Sequence, residues 1–272
     1  MKVALLRICR CAFLPVILFS GAAPAAAQGE PIGIVVMHGK AGSPSSRYID
    51  PFARALESRG LLVANLDMPW SGSRNYDVPT SRAEEEIEVA IAGLRAKGAT
   101  KVFVAGHSLG GAFALHFAGK PRVDGIIAIA PGGNVAGPTF REKIGEPLDR
   151  ARKLVAAGKG AEPEQLLDYE PSQGVYVVVS PPVAYVTWFD PDGAMNMSRA
   201  SRAVDPKVAV LFIIPTRDYP GLLKSSPGRF RELPKNPHTR LYQPSADHLN
   251  APSASVDEIL RWTREVAGSA KP

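Results

Sequence analysis

The sequence predicts an α/β fold built on a mostly parallel six-stranded sheet with helices on both faces. Six apolar, β-branched runs recur along the chain, and segments with helical periodicity lie between them. Most of these runs are continuous Val, Ile, Leu and Ala without polar alternation, as expected of strands that are covered on both sides. Strands that alternate with helices favour parallel pairing, because each helix returns the chain to the start of the next strand.

Each element follows from a local pattern. The predicted strands span residues 32–37, 61–66, 101–105, 125–130, 208–214 and 239–243. Between the first two, the apolar residues of segment 49–56 recur at i, i+3, i+4 and i+7, and Gly60 follows where a helix C-cap is expected. Two further helices are predicted to begin with Ser-x-x-Glu capping boxes, one at Ser81 and one at Ser255.

The first 27 residues have the pattern of a secretory signal peptide. They contain Lys2, Arg7 and Arg10 and no acidic residue, then an apolar run over 12–19, then small residues that end at Ala27. An uncleaved membrane anchor is the alternative, but the run is shorter than the roughly 20 residues that a bilayer requires. We therefore expect a cleaved signal peptide (1–27), a mature domain (28–272) that is secreted or periplasmic, and no stable membrane anchor after cleavage.

Charge and cysteine content exclude several classes of protein. The net charge is +6, and setting aside the three cations of the signal segment leaves +3, spread along the chain, which does not fit a nucleic-acid surface. Both cysteines, Cys9 and Cys11, lie in the signal segment, so the mature chain has no disulfide, thiol nucleophile or thiolate metal site. Since paired-His and G-x-G-x-x-G motifs are also absent, we expect no metal and no other cofactor.

The alternation of strands and helices breaks over residues 137–204. The first part of this segment, 140–157, is charged and helical in pattern, and the second part contains a β-branched run over 175–179 and an apolar, aromatic stretch over 183–189. Connections of this length are seldom without structure in a compact domain. We expect an inserted lid or cap; a peripheral decoration with no role at the active site is the alternative.

A serine between two glycines follows the third predicted strand. The segment 106–110 reads Gly-His-Ser-Leu-Gly and precedes a helical stretch. A sharp turn from strand to helix crowds the backbone around Ser108, so the positions two before and two after must lack side chains. The turn would hold the Ser108 hydroxyl at a helix N-terminus, where backbone N–H groups favour negative charge. The pattern predicts a nucleophilic serine; a glycine-rich turn without chemistry is the alternative.

A serine nucleophile needs a base that is itself oriented by a third group. Of the five histidines, His248 follows the last strand, at the sheet edge where Ser108 also emerges. Asp218 follows the fifth strand, which gives the chain order Ser, Asp, His. We therefore expect His248 to be the general base and Asp218 to orient it. The competing carboxylates are less well placed: Asp67, Asp190, Asp192 and Asp247.

Acyl transfer also needs two N–H donors for the oxyanion. Leu109, next to the nucleophile, would supply one, and Lys40, in the glycine-rich loop after the first strand, would supply the other. Two tryptophans near the predicted mouth, Trp70 and Trp188, would contact an apolar acyl group of the substrate. Packing between the inserted segment and the core is their alternative role.

Together these residues resemble the α/β-hydrolase family and its esterases and lipases. The resemblance rests on the G-x-S-x-G motif at Ser108, the His38-Gly39 loop, Asp218 and His248, and it covers residues 32–267 apart from the insertion. Two features depart from the family pattern. The family's full sheet has eight strands against the six predicted here, and the charged Lys40 stands where an apolar residue is usual.

The resemblance implies an α/β-hydrolase fold and a serine hydrolase that cleaves an acyl bond through an acyl-enzyme. A carboxylic ester is the first expectation, because an exported enzyme meets esters and lipids and rarely meets acyl-CoA. Peptide or amide hydrolysis on the same triad is one alternative, and a non-catalytic binding protein on the same scaffold is another. The expected partner is a small ester or lipid-like molecule, and the sequence leaves the oligomeric state open.

Overall fold

The computed structural model describes residues 30–120 and 122–268. The predicted signal peptide lies outside these residues. The strands of the described part are β1 (Ile32–Met37), β2 (Leu62–Leu66), β3 (Lys101–His107), β4 (Gly125–Ile129), β5 (Glu164–Glu170), β6 (Gly174–Ser180), β7 (Ala209–Ile213) and β8 (Arg240–Tyr242). The helices are α1 (Asp50–Ser58), α2 (Thr80–Ala96), α3 (Leu109–Phe117), α4 (Pro138–Ala156), α5 (Pro182–Phe189), α6 (Met197–Ala203), α7 (Pro220–Arg231), α8 (Ala251–Ala254) and α9 (Val256–Gly268). None of the helices in this part of the chain is long and apolar enough to span a bilayer.

The main sheet has six strands in the order β2-β1-β3-β4-β7-β8, and every neighbouring pair is parallel. This confirms the predicted six-stranded sheet, and all six predicted runs lie in it. Strand β3 is central and extends two residues beyond its predicted end, because Gly106 and His107 continue the pairing with β4. The residue after β3 is Ser108, so the middle of the sheet presents the nucleophile candidate at its carboxyl edge.

Helices cover both faces of the sheet, as predicted. Alternate residues of β1 point to opposite faces: Ile34 packs in the cluster with α1 and α9, and Val35 packs in the cluster with α2 and α3. Both side chains are completely buried. Burial on both faces explains why the strand reads as a continuous apolar run rather than an alternating one.

The predicted end of the first helix at Gly60 is confirmed, and Gly98 ends the second helix in the same way. Gly60 and Gly98 follow α1 and α2 with φ of +93° and +99°, the left-handed conformation that favours glycine. The predicted capping boxes are wrong. Helix α2 begins at Thr80, so Ser81 lies inside its first turn, and the Ser255 hydroxyl donates to the Ala251 carbonyl instead of accepting from α9.

The chain between β4 and β7 folds into α4, an antiparallel hairpin of β5 and β6, α5 and α6. The predicted helix 140–157 corresponds to α4, and the predicted run 175–179 lies in β6. Strand β5 was not predicted, because its sequence Glu-Gln-Leu-Leu-Asp-Tyr-Glu is mostly polar. Its inward face contains Leu166 and Asp168, both completely buried, so a buried carboxylate concealed the alternating pattern.

Candidate active site

Ser108 lies in a strained turn between β3 and α3. Its φ is 54° and its ψ is −115°, a conformation that few side-chain-bearing residues adopt. A Cβ on Gly106 would overlap the Gly110 carbonyl group, and a Cβ on Gly110 would lie 2.7 Å from the His38 carbonyl oxygen. The two glycines therefore let the chain turn sharply enough to place Ser108 at the N-terminus of α3.

His248 and Asp218 form a hydrogen-bonded pair on the loops that follow β8 and β7. The Nδ1 of His248 lies 2.7 Å from Oδ1 of Asp218, and both side chains are almost fully buried. The same Oδ1 accepts a hydrogen bond of 2.7 Å from the backbone N–H of Tyr219. With Nδ1–H donating to the carboxylate, a neutral His248 keeps the lone pair on Nε2, which is the state that a general base requires.

Ser108 and His248 line one cavity of about 290 Å³ at the carboxyl edge of the sheet. Lys40 and the loop around it form one wall, and the hairpin of β5 and β6 forms another through Glu170 and Tyr176. The structure thus brings the predicted nucleophile, base and oxyanion loop together. The segment between β4 and β7, which is predicted to be an insertion, contributes side chains to the same cavity.

The Lys40 side chain has a fixed position in this wall. Its Nζ donates to Oδ1 of Asp168 at 2.8 Å and to the Tyr169 carbonyl oxygen at 3.0 Å. Asp168 is completely buried and also accepts hydrogen bonds from the hydroxyls of Tyr76 and Tyr176, at 2.7 and 2.8 Å. The charge of Lys40 is therefore neutralised inside the protein, which leaves its backbone N–H as its candidate contribution to the chemistry. Leu109, the other predicted donor, has a buried side chain.

Two histidines on loops beside the site, His38 and His107, have structural contacts. The Nε2–H of His107 donates to the His248 carbonyl oxygen at 2.9 Å, and burial lowers the pKa of His107 to about 3. His38 accepts a hydrogen bond from the Met68 N–H at Nε2, and burial lowers its pKa as well. Both rings are therefore neutral, and they join neighbouring loops. The position of His107 within the G-x-S-x-G motif is a sequence signal that it lies beside the nucleophile.

The two tryptophans predicted to contact substrate lie elsewhere. Trp70 and Trp188 are each 1% exposed, and neither lines the cavity that holds Ser108. Their rings pack against each other at 5.6 Å, and their N–H groups donate to the carbonyls of His38 and Val78. Because both are enclosed between the inserted segment and the core, the substrate-contact prediction is corrected to the alternative packing role.

Metal ligands are not grouped at this site. Within residues 30–120 and 122–268, no three His, Cys, Asp or Glu side chains are arranged to hold a metal ion. The arrangement that is present, a serine at a helix N-terminus beside a His–Asp pair, is suited to acyl transfer.

The model of the alpha/beta hydrolase family matches residues 34–263. The chain belongs to this family. A thermostable monoacylglycerol lipase from Bacillus sp. (strain H-257) is 29% identical over 146 residues, which cover 48% of this chain and 57% of that protein. The match thus spans little more than half of the relative's length.

Solved structures share the fold across most of the chain. The monoacylglycerol lipase of Paleococcus ferrophilus has a TM-score of 0.60 at 21% identity, covering 88% of this hydrolase and 96% of that chain. Est1E from Butyrivibrio proteoclasticus, with ferulic acid bound, has a TM-score of 0.58 at 16% identity, with coverages of 89% and 91%. At these identities the likeness establishes the fold of the hydrolase alone.

Proposed function

We propose that this alpha/beta hydrolase is an exported serine hydrolase that cleaves a carboxylic ester through Ser108, His248 and Asp218. The observation that carries the proposal is the 2.7 Å hydrogen bond between His248 and Asp218 at the cavity that Ser108 lines. The names of the relatives, which include monoacylglycerol lipases, support ester hydrolysis as the reaction.

In the first half-reaction, the Ser108 oxygen attacks the acyl carbon of the ester while its proton passes to Nε2 of His248. The resulting imidazolium is stabilised by Asp218, and the oxyanion accepts hydrogen bonds from the N–H groups of Leu109 and Lys40. When the tetrahedral intermediate collapses, the bond to the leaving oxygen breaks and His248 returns the proton to the alcohol. Water then attacks the acyl-enzyme by the same route, which releases the acid and restores Ser108.

Export is part of the proposal and rests on the signal-peptide pattern of the first 27 residues. Expression in a Gram-negative host with N-terminal sequencing of the exported chain tests it. We expect a periplasmic or secreted form that begins near Gln28. Retention of the intact N-terminus in the cytoplasm would contradict export and leave the proposed chemistry unaffected.

The direct test of the reaction is turnover of p-nitrophenyl esters of increasing acyl length by the wild type and by Ser108→Ala. We expect the wild type to hydrolyse short esters and the variant to lose kcat by about 10⁴-fold or more. The variant should keep the wild-type circular dichroism spectrum and melting temperature, since the change removes one oxygen atom. A folded Ser108→Ala variant that retains the wild-type rate would refute the assignment of the nucleophile.

A further inference from the structure

We propose that Glu170 makes the catalytic cavity selective for esters that carry a positive charge beside the reacting bond. The inference rests on the proposed ester hydrolysis and adds to it a class of substrate. Glu170 is the last residue of β5, so it stands where the inserted hairpin reaches the cavity that Ser108 and His248 line.

The Glu170 carboxylate is a charge without a partner in this cavity. Among the described residues, it forms no ion pair and no side-chain hydrogen bond. Two groups can stabilise its charge, Lys40 and a protonated His248. Lys40 already donates to Asp168 at 2.8 Å and to the Tyr169 carbonyl at 3.0 Å. Lys40 and Asp168 neutralise each other, and a neutral His248 leaves the negative charge of Asp218 in place. Glu170 therefore adds a second negative charge at the cavity.

Because the Glu170 carboxylate is partly buried, a cation bound beside it would stabilise its negative charge. Glu170 is half-buried, and the loss of hydration raises its pKa. A substrate cation in the cavity would restore the lost electrostatic stabilisation, whereas an anionic substrate would add repulsion. The carboxylate therefore favours cationic substrates and disfavours anionic ones.

Aromatic rings line the same cavity and favour one kind of cation. Tyr176 and Tyr219 are part of its wall, as is Tyr48, whose ring already has the Arg47 guanidinium over it at 4.8 Å. The Tyr176 ring is held in place because its hydroxyl donates to Asp168 at 2.8 Å, and the Tyr219 ring packs 4.5 Å from the His248 ring. Aromatic faces attract large, weakly hydrated cations such as quaternary ammonium groups. The geometry points to an alkylammonium ester as the preferred class.

A matched pair of esters tests the inference. Acetylcholine and 3,3-dimethylbutyl acetate have the same shape, but the second carries a neutral carbon in place of the quaternary nitrogen. Acid release by both is followed in a pH-stat with the full chain. We expect the wild type to show about ten-fold higher kcat/KM for the cationic ester, and this ratio to fall as salt is added.

Two variants test whether the charge of Glu170 causes the preference for the cationic ester. Glu170→Gln keeps the shape and removes the charge, so the ratio should fall to about one. Glu164→Gln removes a charge at the opposite end of β5 and should leave the ratio at the wild-type value. A wild-type ratio of one or less, or the same ratio in wild type and Glu170→Gln, would overturn the inference.

A measurement on the wild type alone covers the case in which Glu170→Gln does not fold. Choline should inhibit hydrolysis of the neutral ester competitively, and 3,3-dimethylbutanol should inhibit it about ten-fold less strongly. Equal inhibition by the two alcohols would overturn the inference. Hydrolysis of p-nitrophenyl esters without hydrolysis of acetylcholine would also overturn the inference. Failure of the wild type on both sets of esters would instead overturn the proposed ester hydrolysis, so the two failures are distinguishable.

Discussion

At the scale of single residues, the site contains two neighbouring histidines whose rings are oriented by hydrogen bonds. His248 donates from Nδ1 to Asp218, and His107 donates from Nε2 to the His248 carbonyl. A carbonyl oxygen only accepts, so His107 carries a proton on Nε2, and burial of the ring disfavours a second proton on Nδ1. A proton added to His107 would place a second positive charge close to the imidazolium that the proposed reaction forms, because the two rings lie 4.9 Å apart.

The depressed pKa of His107 predicts a loss of stability in acid. In the unfolded chain this histidine binds a proton below its ordinary pKa of 6.5, whereas the folded protein resists protonation down to a pKa of about 3. Between these values the unfolded state binds more protons than the folded state. As the pH is lowered, this residue therefore decreases the free energy of unfolding by up to about 1.4 kcal/mol per pH unit. Above pH 6.5 the contribution does not change with pH.

Urea denaturation of the wild type and of His107→Gln, between pH 4 and 8, measures this contribution. Glutamine has an amide N–H that can donate to the His248 carbonyl, but it does not titrate in this range. We expect the stability of the wild type to fall more steeply than that of the variant below pH 6.5. Parallel curves would show that His107 is protonated in the folded protein.

At the scale of secondary-structure elements, a buried network fixes the inserted hairpin to the sheet. Asp168 of β5 binds Lys40 after β1, and it accepts hydrogen bonds from Tyr76 after β2 and Tyr176 of β6. The network therefore joins the wall of the cavity to the loop predicted to supply an oxyanion donor. The hairpin is held near its turn by charged contacts rather than by apolar packing alone.

Removing the charge of Asp168 should be strongly destabilising. Asp168→Asn leaves the Lys40 ammonium buried without its counter-charge, and breaking a buried pair in this way typically costs about 3–5 kcal/mol. Tyr176→Phe removes one hydrogen bond to the carboxylate and should cost about 2 kcal/mol. Urea denaturation of the three proteins measures both effects. A free energy of unfolding for Asp168→Asn within 1 kcal/mol of the wild type would contradict the proposed role of the network.

The contacts of this network could not be predicted from the sequence, whereas the strands of the main sheet could. Four of the six sheet strands, β1, β3, β4 and β7, are local apolar runs that are buried on both faces, and this pattern is visible in their own residues. The partner of Lys40 could not be predicted, since Asp168 lies 128 residues further along the chain in a strand with a polar sequence. Contacts of that separation are set by how the insertion packs, which has no local pattern.

At the scale of the whole molecule, the chain order of the predicted catalytic residues follows from the topology. Ser108, Asp218 and His248 follow β3, β7 and β8, and the parallel pairing of these strands brings their carboxyl ends to one edge of the sheet.

The prediction that Trp70 and Trp188 contact the substrate was wrong. Their large apolar surfaces were equally suited to a pocket or to the interface beneath the insertion, and the sequence did not distinguish the two.

The central claim is that Ser108 is an activated nucleophile, and labelling with a fluorophosphonate probe tests it most directly. Attack by the Ser108 oxygen on phosphorus displaces fluoride and leaves a stable adduct, which peptide mapping by mass spectrometry locates. We predict one adduct, on Ser108, that is lost in Ser108→Ala and strongly reduced in His248→Ala, with both variants folded. A folded wild type that does not react, or an adduct on another residue, would contradict the account.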